Sequence, residues 1–187
     1  MSVSNLEPKK GRLLIAEPSI LNDSFFKRTI VLLAEHAKDS SVGFILNRPL
    51  NYTLSDLMPS VDCNFTVYQG GPVDCNNLYF VHKIPNLLPS SLKINQNFYW
   101  GGNFENLKIY LGKKLVKPTD IRFFLGYSGW DINQLEGELK TNSWFVSKNI
   151  YPNIFTLNNE TLWKNQLLKR GGKYKIWANA PGDIQMN

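Results

Sequence analysis

Short apolar runs that stop at glycine, proline or an amide residue recur along the chain, and they predict a sheet-rich fold. Runs of about four to eight residues rich in branched and aromatic side chains are typical of β-strands. Segment 12–16 is almost wholly apolar, which favours a strand buried on both faces. The predicted strands are 12–16, 29–36, 42–47, 65–69, 78–82, 121–127 and 144–146, with a brief strand around Ile94 in an otherwise exposed connection over 84–97.

Helices are predicted where apolar residues recur three or four positions apart behind a residue that can cap them. The predicted helices, with their capping residues, are 53–58 (Thr53 or Ser55), 103–111 (Asn103), 132–141 (Asp131, with Gln134 completing a capping box) and 160–169 (Asn158 or Asn159). The segment Asn22-Asp-Ser24 is expected to cap a short turn that directs Phe25 and Phe26 inward. The segment from Lys173 onward is expected to be a tail.

The strands 29–36 and 42–47 predict a hairpin closed by a five-residue loop. If His36 faces Val42, then Ile30 faces Arg48, and His36 and Arg48 lie at opposite ends of the hairpin. A single site that uses both side chains is therefore not expected. In this register Arg48 lies close to Lys27.

Length and composition indicate one domain over 11–187, preceded by a flexible tail over 1–10. No run approaches the roughly 18 apolar residues of a membrane span, and the first ten residues lack the apolar core of a secretory signal. We therefore expect a cytoplasmic protein with no membrane partner. Two reduced thiols, Cys63 and Cys75, fit that compartment; a disulfide or a reactive thiol is the alternative.

The formal net charge of +6 raises the question of nucleic-acid binding. Most of the basic residues are scattered, and the one dense group, around Lys169 and Lys173, follows a predicted helix, where cations favour the helix dipole. No helix-turn-helix, zinc-finger or RNP-type motif accompanies them. Nucleic acid is thus a weakly supported partner, behind an unknown protein or small molecule.

No set of residues matches a known catalytic or metal-binding pattern. Ser128 lies in a Gly-Tyr-Ser-Gly segment whose second glycine comes one position too early for a nucleophile elbow. His36 and His82 are interpreted as surface or capping residues, since no third ligand stands at metal-site spacing. Gly101 and Gly102 are read as a tight turn before a capped helix, with an anion site as the alternative. We predict no catalytic residue, no cofactor and no metal.

One group of residues favours a ligand site. Each member follows or ends an apolar strand, and convergence of these strand ends at a sheet edge would form a concave polar pocket. The alternative is that the same residues cap and brace one another. The candidate pocket residues are Asn47, Arg48, Gln69, Gly70, Gly71, Tyr127 and Ser128.

Several segments together resemble the YqgE/AlgH family of bacterial proteins, over most of the chain from Gly11 to about Gly171. They are Gly11-Arg-Leu-Leu-Ile-Ala, Gly43-Phe-Ile-Leu-Asn-Arg-Pro-Leu50, Gly70-Gly71-Pro72 and Gly126-Tyr-Ser-Gly-Trp130, with Glu35-His36, His82 and Gln134-Leu-Glu136. The resemblance implies an α+β fold with a bifurcated, mixed or antiparallel sheet, part of it barrel-like, surrounded by helices.

The resemblance implies little about activity. Some family members are called transcriptional regulators, and no catalytic residues carry over to this chain. We therefore expect a non-enzymatic binding or regulatory protein. The alternative is an enzyme or small-ligand binder that uses the pocket around Arg48 on an anionic substrate.

Overall fold

The computed structural model describes residues 6–20 and 23–180, which form ten strands and five α-helices. The strands are β1 (Leu13–Ala16), β2 (Ile30–His36), β3 (Ser40–Ile45), β4 (Pro49–Thr53), β5 (Thr66–Gln69), β6 (Val73–His82), β7 (Leu92–Lys93), β8 (Tyr99–Trp100), β9 (Ile121–Asp131) and β10 (Trp144–Ser147). The helices are α1 (Leu54–Leu57), α2 (Phe104–Gly112), α3 (Gln134–Lys140), α4 (Asn159–Arg170) and α5 (Tyr174–Asn179), with 3-10 turns at Pro18–Ile20 and Ile154–Thr156.

The strands form one mixed, mostly antiparallel sheet that branches at β9. The main path runs β10-β1-β2-β3-β9-β6-β8-β7. The second half of β9 pairs with β3, whereas its first half pairs in parallel with β5, which in turn pairs with β4. The predicted α+β class and bifurcated sheet are confirmed. Over the described residues no strand pairing closes the sheet, so it is open rather than barrel-like.

Helices cover both faces of the sheet, as the apolar composition of segment 12–16 predicts. Alternate residues of β1 point to opposite sides: Leu13 and Ile15 join a core that contains Leu162 and Trp163 of α4, and Leu14 joins a core under α3. All four residues of β1 are buried. A separate cluster packs α2 against β5, β6 and the first half of β9.

The hairpin of β2 and β3 has a different register from the predicted one. His36 faces Ser41 rather than Val42, and Val31 faces Ile45. The connection has three residues, 37–39, rather than the predicted five, because β3 already begins at Ser40. A β-bulge between Leu33 and Glu35 shifts the register once more. Arg48 nevertheless lies beside Lys27, as expected.

The prediction that β9 ends at Tyr127 and that Asp131 caps a helix is wrong. The strand continues to Asp131, which pairs with Ser40, because β3 offers a second pairing edge. Helix α3 begins only at Gln134, after Asn133 in a left-handed conformation (φ 60°). Of the predicted capping box, only the bond from the Asp131 amide to the Gln134 side chain is present (3.0 Å).

The other predicted helix starts are confirmed: Thr53, Asn103 and Asn158 cap α1, α2 and α4 through their side chains.

The sequence did not predict β4 or the first half of β6, and it predicted a tail where the structure has α5. The predicted strand around Ile94 corresponds to the short pair β7 and β8. Of the predicted cap over Asn22-Asp-Ser24, Asn22 lies outside the described residues, whereas Oδ1 of Asp23 accepts hydrogen bonds from the amides of Phe25 and Phe26 (2.8 Å each). Among the helices of the described ranges, none is long and apolar enough to cross a membrane.

Candidate functional site

The predicted strand-end residues lie together where β5 runs along the middle of β9. Gln69 ends β5 opposite Leu125, and the Gly70 amide extends this pairing by donating to the Leu125 carbonyl (2.8 Å). The Gly70 carbonyl accepts hydrogen bonds from the Ile45 amide (3.0 Å) and from the hydroxyl of the fully buried Ser128 (3.0 Å). Three strands thus converge on one main-chain carbonyl.

Two glycines of the cluster permit a close approach of β5 to β9. A Cβ atom on Gly70 would lie 2.0 Å from the carbonyl oxygen of Gly126, and one on Gly71 would lie 2.3 Å from the amide nitrogen of Ser128. Both contacts are with backbone, which cannot rotate away. Backbone therefore fills the space beside these two glycines.

Asn47 completes the hairpin with its side chain. Its Oδ1 accepts a hydrogen bond from the Ile30 amide (2.9 Å), and its Nδ2 donates to the Arg28 carbonyl (2.9 Å). Because β3 ends at Ile45, these two bonds from the Asn47 side chain take the place of the main-chain pairing that a longer β3 would make with the start of β2. Asn47 therefore fixes the entry into β2.

Arg48 ties the segment before β2 to the end of β5. Its guanidinium donates to the carbonyls of Ser24 (2.8 Å) and Lys27 (3.0 Å), and Nη1 also lies 3.4 Å from Oε1 of Gln69. Partial burial lowers the pKa of Arg48, an effect that the negative charge of Asp23 opposes. These contacts support the bracing alternative, and the ligand pocket at this cluster stays a prediction.

Tyr127, the remaining candidate, is half-buried on β9. Its ring meets the ring of Tyr79 edge to face, with centroids 5.4 Å apart, and the Tyr79 hydroxyl donates to Asp74 (3.2 Å). Burial, followed by the charge of Asp74, raises the pKa of Tyr79. The tyrosine pair borders the cluster on the side of β6.

His82 is fully buried and is therefore not a surface residue, although its ring does cap main-chain groups, which was the other half of its interpretation. Its Nδ1 accepts a hydrogen bond from the Ile84 amide (3.2 Å), so the proton of the neutral ring is on Nε2, which faces the Gly101 carbonyl and the Ser91 hydroxyl, each at 3.0 Å. A protonated Nε2 cannot accept the Ser91 proton. The pair is therefore not a nucleophile and its base, despite the short distance.

We expect His82 to make the protein less stable in acid. Burial lowers its pKa to about 4, against 6.5 for the free side chain, so the unfolded chain binds the proton more readily. The neutral ring contributes full stability above pH 6.5, and about 3 kcal/mol is lost as the pH falls to 4. Chemical denaturation at several pH values measures this loss, and His82→Gln is expected to remove that part of the pH dependence.

A second measurement on the native protein separates His82 from the carboxylates. Ring nitrogen shifts in NMR spectra are expected to show a neutral, Nε2-protonated His82 at pH 5. A ring that is protonated in the folded protein at that pH would contradict the assignment.

Arg122 is a buried cation that the sequence reading did not single out. It is 4% exposed, and its guanidinium donates to the carbonyls of Leu46 (2.7 Å) and Phe155 (2.9 Å) and lies 4.1 Å from the ring centroid of Tyr68. Burial lowers its pKa. The signal in the sequence is an arginine inside the apolar strand 121–125, a position where a charge needs dedicated partners.

A cavity with a volume of about 430 Å³ lies beside α5. Its deepest charged group is the carboxylate of Glu17, which is 7% exposed and accepts a hydrogen bond from the Tyr174 hydroxyl (2.7 Å). We call this cavity the Glu17 cleft. It is lined by Glu17, Pro18, Ser19, Thr141, Asn142, Lys173, Tyr174 and Trp177.

Helix α5 presents apolar and basic side chains to solvent. Ile176 is 76% exposed and Trp177 is 37% exposed, next to the exposed Lys175. Segment 148–180, which contains α4 and α5, has six basic residues and one acidic residue. The sequence predicts a tail from Lys173 onward and therefore does not indicate this surface.

The cysteines give no site of their own. Cys63 and Cys75 are both free, and burial raises the pKa of Cys63. Within residues 6–20 and 23–180, no three histidine, cysteine, aspartate or glutamate side chains are grouped so as to hold a metal ion.

The strand order and the hydrogen bonds between the strand ends define an α+β protein built on one open, branched sheet. The AlgH-like family model matches residues 13–175 of this chain. A UPF0301 protein from Parabacteroides distasonis is 39% identical over 183 residues, which cover 96% of this chain and 92% of that protein. The chain therefore belongs to the AlgH-like family, and the resemblance noted from the sequence is confirmed.

Further comparisons agree with this assignment. A UPF0301 protein from Chlorobium luteolum is 38% identical over 172 residues, covering 91% of this chain and 90% of its own. The crystal structure of a Corynebacterium diphtheriae protein matches with a TM-score of 0.77 at 19% identity, over 95% of both chains. The solution structure of the AlgH protein from Pseudomonas aeruginosa matches with a TM-score of 0.72 at 23% identity, over 98% of both. At these identities the two structures show the shared fold alone.

Proposed function

We propose that the protein acts by binding, and that the exposed surface of α5 docks an acidic segment of another protein. The observation that supports this most directly is the exposure of Ile176 next to Lys175, in a segment, 148–180, that has six basic residues and one acidic residue. A large aliphatic side chain that is three-quarters exposed loses contact with water when a partner covers it. The surrounding lysines favour a partner of negative charge.

An acidic protein segment suits this surface better than nucleic acid does. Lysines would contact phosphates and carboxylates alike, but the most exposed apolar side chain of α5 is the aliphatic Ile176, on which a base cannot stack, and the less exposed ring of Trp177 lines the Glu17 cleft. An apolar side chain from a protein partner can pack on Ile176 directly. A regulatory role, which the family resemblance implies, would follow from the identity of that partner.

The proposal is tested with two fluorescent peptides of equal length, one made of Asp and Glu only and one with a central Leu. The Leu peptide is expected to bind about tenfold more tightly in fluorescence anisotropy, and Ile176→Asp is expected to remove that difference. Ile132→Asp is the matched control, because Ile132 is also an exposed isoleucine but lies before α3.

Nucleic acid is the competing outcome. Random single-stranded and duplex DNA are measured on the same proteins at low and physiological salt. If DNA binds more tightly than both peptides, and Ile176→Asp weakens it no more than Ile132→Asp does, then the acidic-protein proposal is overturned. Binding of neither probe at low salt also overturns it.

A further inference from the structure

The Glu17 cleft has the size and the groups of a small-molecule site, and neither Lys175 nor Ile176 of the docking surface lines it. Its volume of about 430 Å³ falls within the range of ligand pockets, roughly 300–1,000 Å³. It brings together a buried carboxylate, an ammonium group and an indole ring, contributed by Glu17, Lys173 and Trp177. Such a combination of opposite charges and an aromatic wall indicates a particular ligand chemistry.

The buried carboxylate favours a ligand with an ammonium group. Glu17 already accepts the Tyr174 hydroxyl at 2.7 Å, and a carboxylate has acceptor positions for about four hydrogen bonds. Because the Glu17 side chain is almost wholly removed from solvent, a charge-assisted bond formed there is stronger than one at the surface.

The opposite charge at the rim selects against simple cations. Lys173 is exposed and lines the same cleft, so a ligand that carries only an amine would meet a like charge there. A ligand that also carries a carboxylate would pair with Lys173. Ser19 and Asn142 supply further polar groups to the lining.

The third element of the site is the partly exposed indole ring of Trp177. An aromatic face of this kind packs against the carbon skeleton of a ligand, as it does in most small-molecule pockets. We propose that the Glu17 cleft binds a zwitterionic amino compound, an amino acid or short peptide, with its ammonium on Glu17, its carboxylate on Lys173 and its apolar part on Trp177.

Three probes separate the parts of this proposal: L-phenylalanine, phenethylamine, which lacks the carboxylate, and 3-phenylpropanoate, which lacks the ammonium. Binding to the full-length protein is measured by calorimetry at probe concentrations up to about 10 mM. Phenylalanine is expected to bind about tenfold more tightly than either analogue. The indole N–H signal of Trp177 in NMR spectra is expected to shift with the same affinity.

Variants of the three lining residues show which part of the ligand each residue binds. Glu17→Gln, which keeps an acceptor oxygen for Tyr174, is expected to weaken phenylalanine and phenethylamine about tenfold and to leave phenylpropanoate unchanged. Lys173→Ala is expected to weaken the binding of phenylalanine and of phenylpropanoate. Trp177→Ala is expected to weaken the binding of all three probes. Lys175→Ala and Ile176→Ala are matched controls on the same helix, since neither residue lines the cleft.

The proposal is overturned if phenylalanine does not bind at the highest concentration, or if Glu17→Gln and Lys173→Ala bind all three probes as tightly as the natural sequence does. Thermal unfolding of each variant confirms that it is folded; Lys173 is exposed, so its variant is expected to retain the unfolding temperature. Ile176→Asp is expected to leave phenylalanine binding intact while it removes the preference for the Leu peptide. The two proposals therefore fail independently.

Discussion

Gly70→Ala is expected to destabilise the protein by about 4 kcal/mol or more, or to prevent folding. The new methyl group would lie 2.0 Å from the Gly126 carbonyl oxygen and 2.9 Å from its carbonyl carbon. Relief would require β5 and β9 to separate, which would break the bonds that the Gly70 amide and carbonyl make to Leu125, Ile45 and Ser128. Urea denaturation, or the soluble yield if the variant does not fold, measures the effect.

Gly137→Ala is the matched control for this substitution. Gly137 lies within α3, and no atom outside its own helix is close to the position of the added Cβ. Alanine in a helix interior is more favourable than glycine by roughly 0.5–1 kcal/mol, so this variant is expected to gain stability. A Gly70→Ala protein that unfolds at the natural urea midpoint would show that β5 and β9 are not in such close contact.

Arg122→Met is expected to cost about 3 kcal/mol of folding free energy. Methionine fills much of the space but leaves the carbonyls of Leu46 and Phe155 without their donors, at roughly 1–3 kcal/mol each. It also loses the contact of the guanidinium with the Tyr68 ring, worth up to about 2 kcal/mol when desolvated. The opposing gain is that a charge no longer has to be buried, which offsets part of the loss.

Arg122→Lys distinguishes the contribution of the positive charge from that of the hydrogen-bond geometry. Lysine keeps the positive charge, but one ammonium group lacks the planar fork that reaches two carbonyls, so we expect an intermediate loss of stability. Arg12→Met, at a half-buried arginine near the chain start, is the control and is expected to cost less than about 1 kcal/mol. If Arg122→Met is as stable as the natural protein in urea, the cost of burying the charge equals what its hydrogen bonds contribute.

Local chemistry made much of the fold predictable. The side chains of Thr53, Asn103 and Asn158 satisfy the first amides of their helices within three residues, and such caps can be recognised without knowledge of the tertiary structure. The almost wholly apolar composition of 12–16 likewise indicated a strand buried on both faces.

The features that were missed depend on distant parts of the chain. Nothing local to Gly126-Tyr-Ser-Gly shows that β3 lies alongside to extend β9 to Asp131. The burial of His82 depends on the turn at Gly101 and on Ser91. Asn47 and Arg48 do follow the end of β3, whereas Ser128 lies inside β9 rather than beyond its end. Only the structure shows that the hydrogen bonds of these side chains go to main-chain groups of other segments.

The position of β1 between β2 and β10 has a consequence for synthesis of the protein. Leu13 pairs with Ser147, and the Ala16 carbonyl accepts the indole N–H of Trp163 (2.8 Å). During synthesis on the ribosome, β1 can pair with β10 and be covered by α4 only after most of the chain has been made. During that interval an apolar strand edge is open to other chains, as in aggregation-prone folding intermediates. The order of the elements along the chain therefore leaves the apolar edge of β1 uncovered until β10 and α4 have been synthesised.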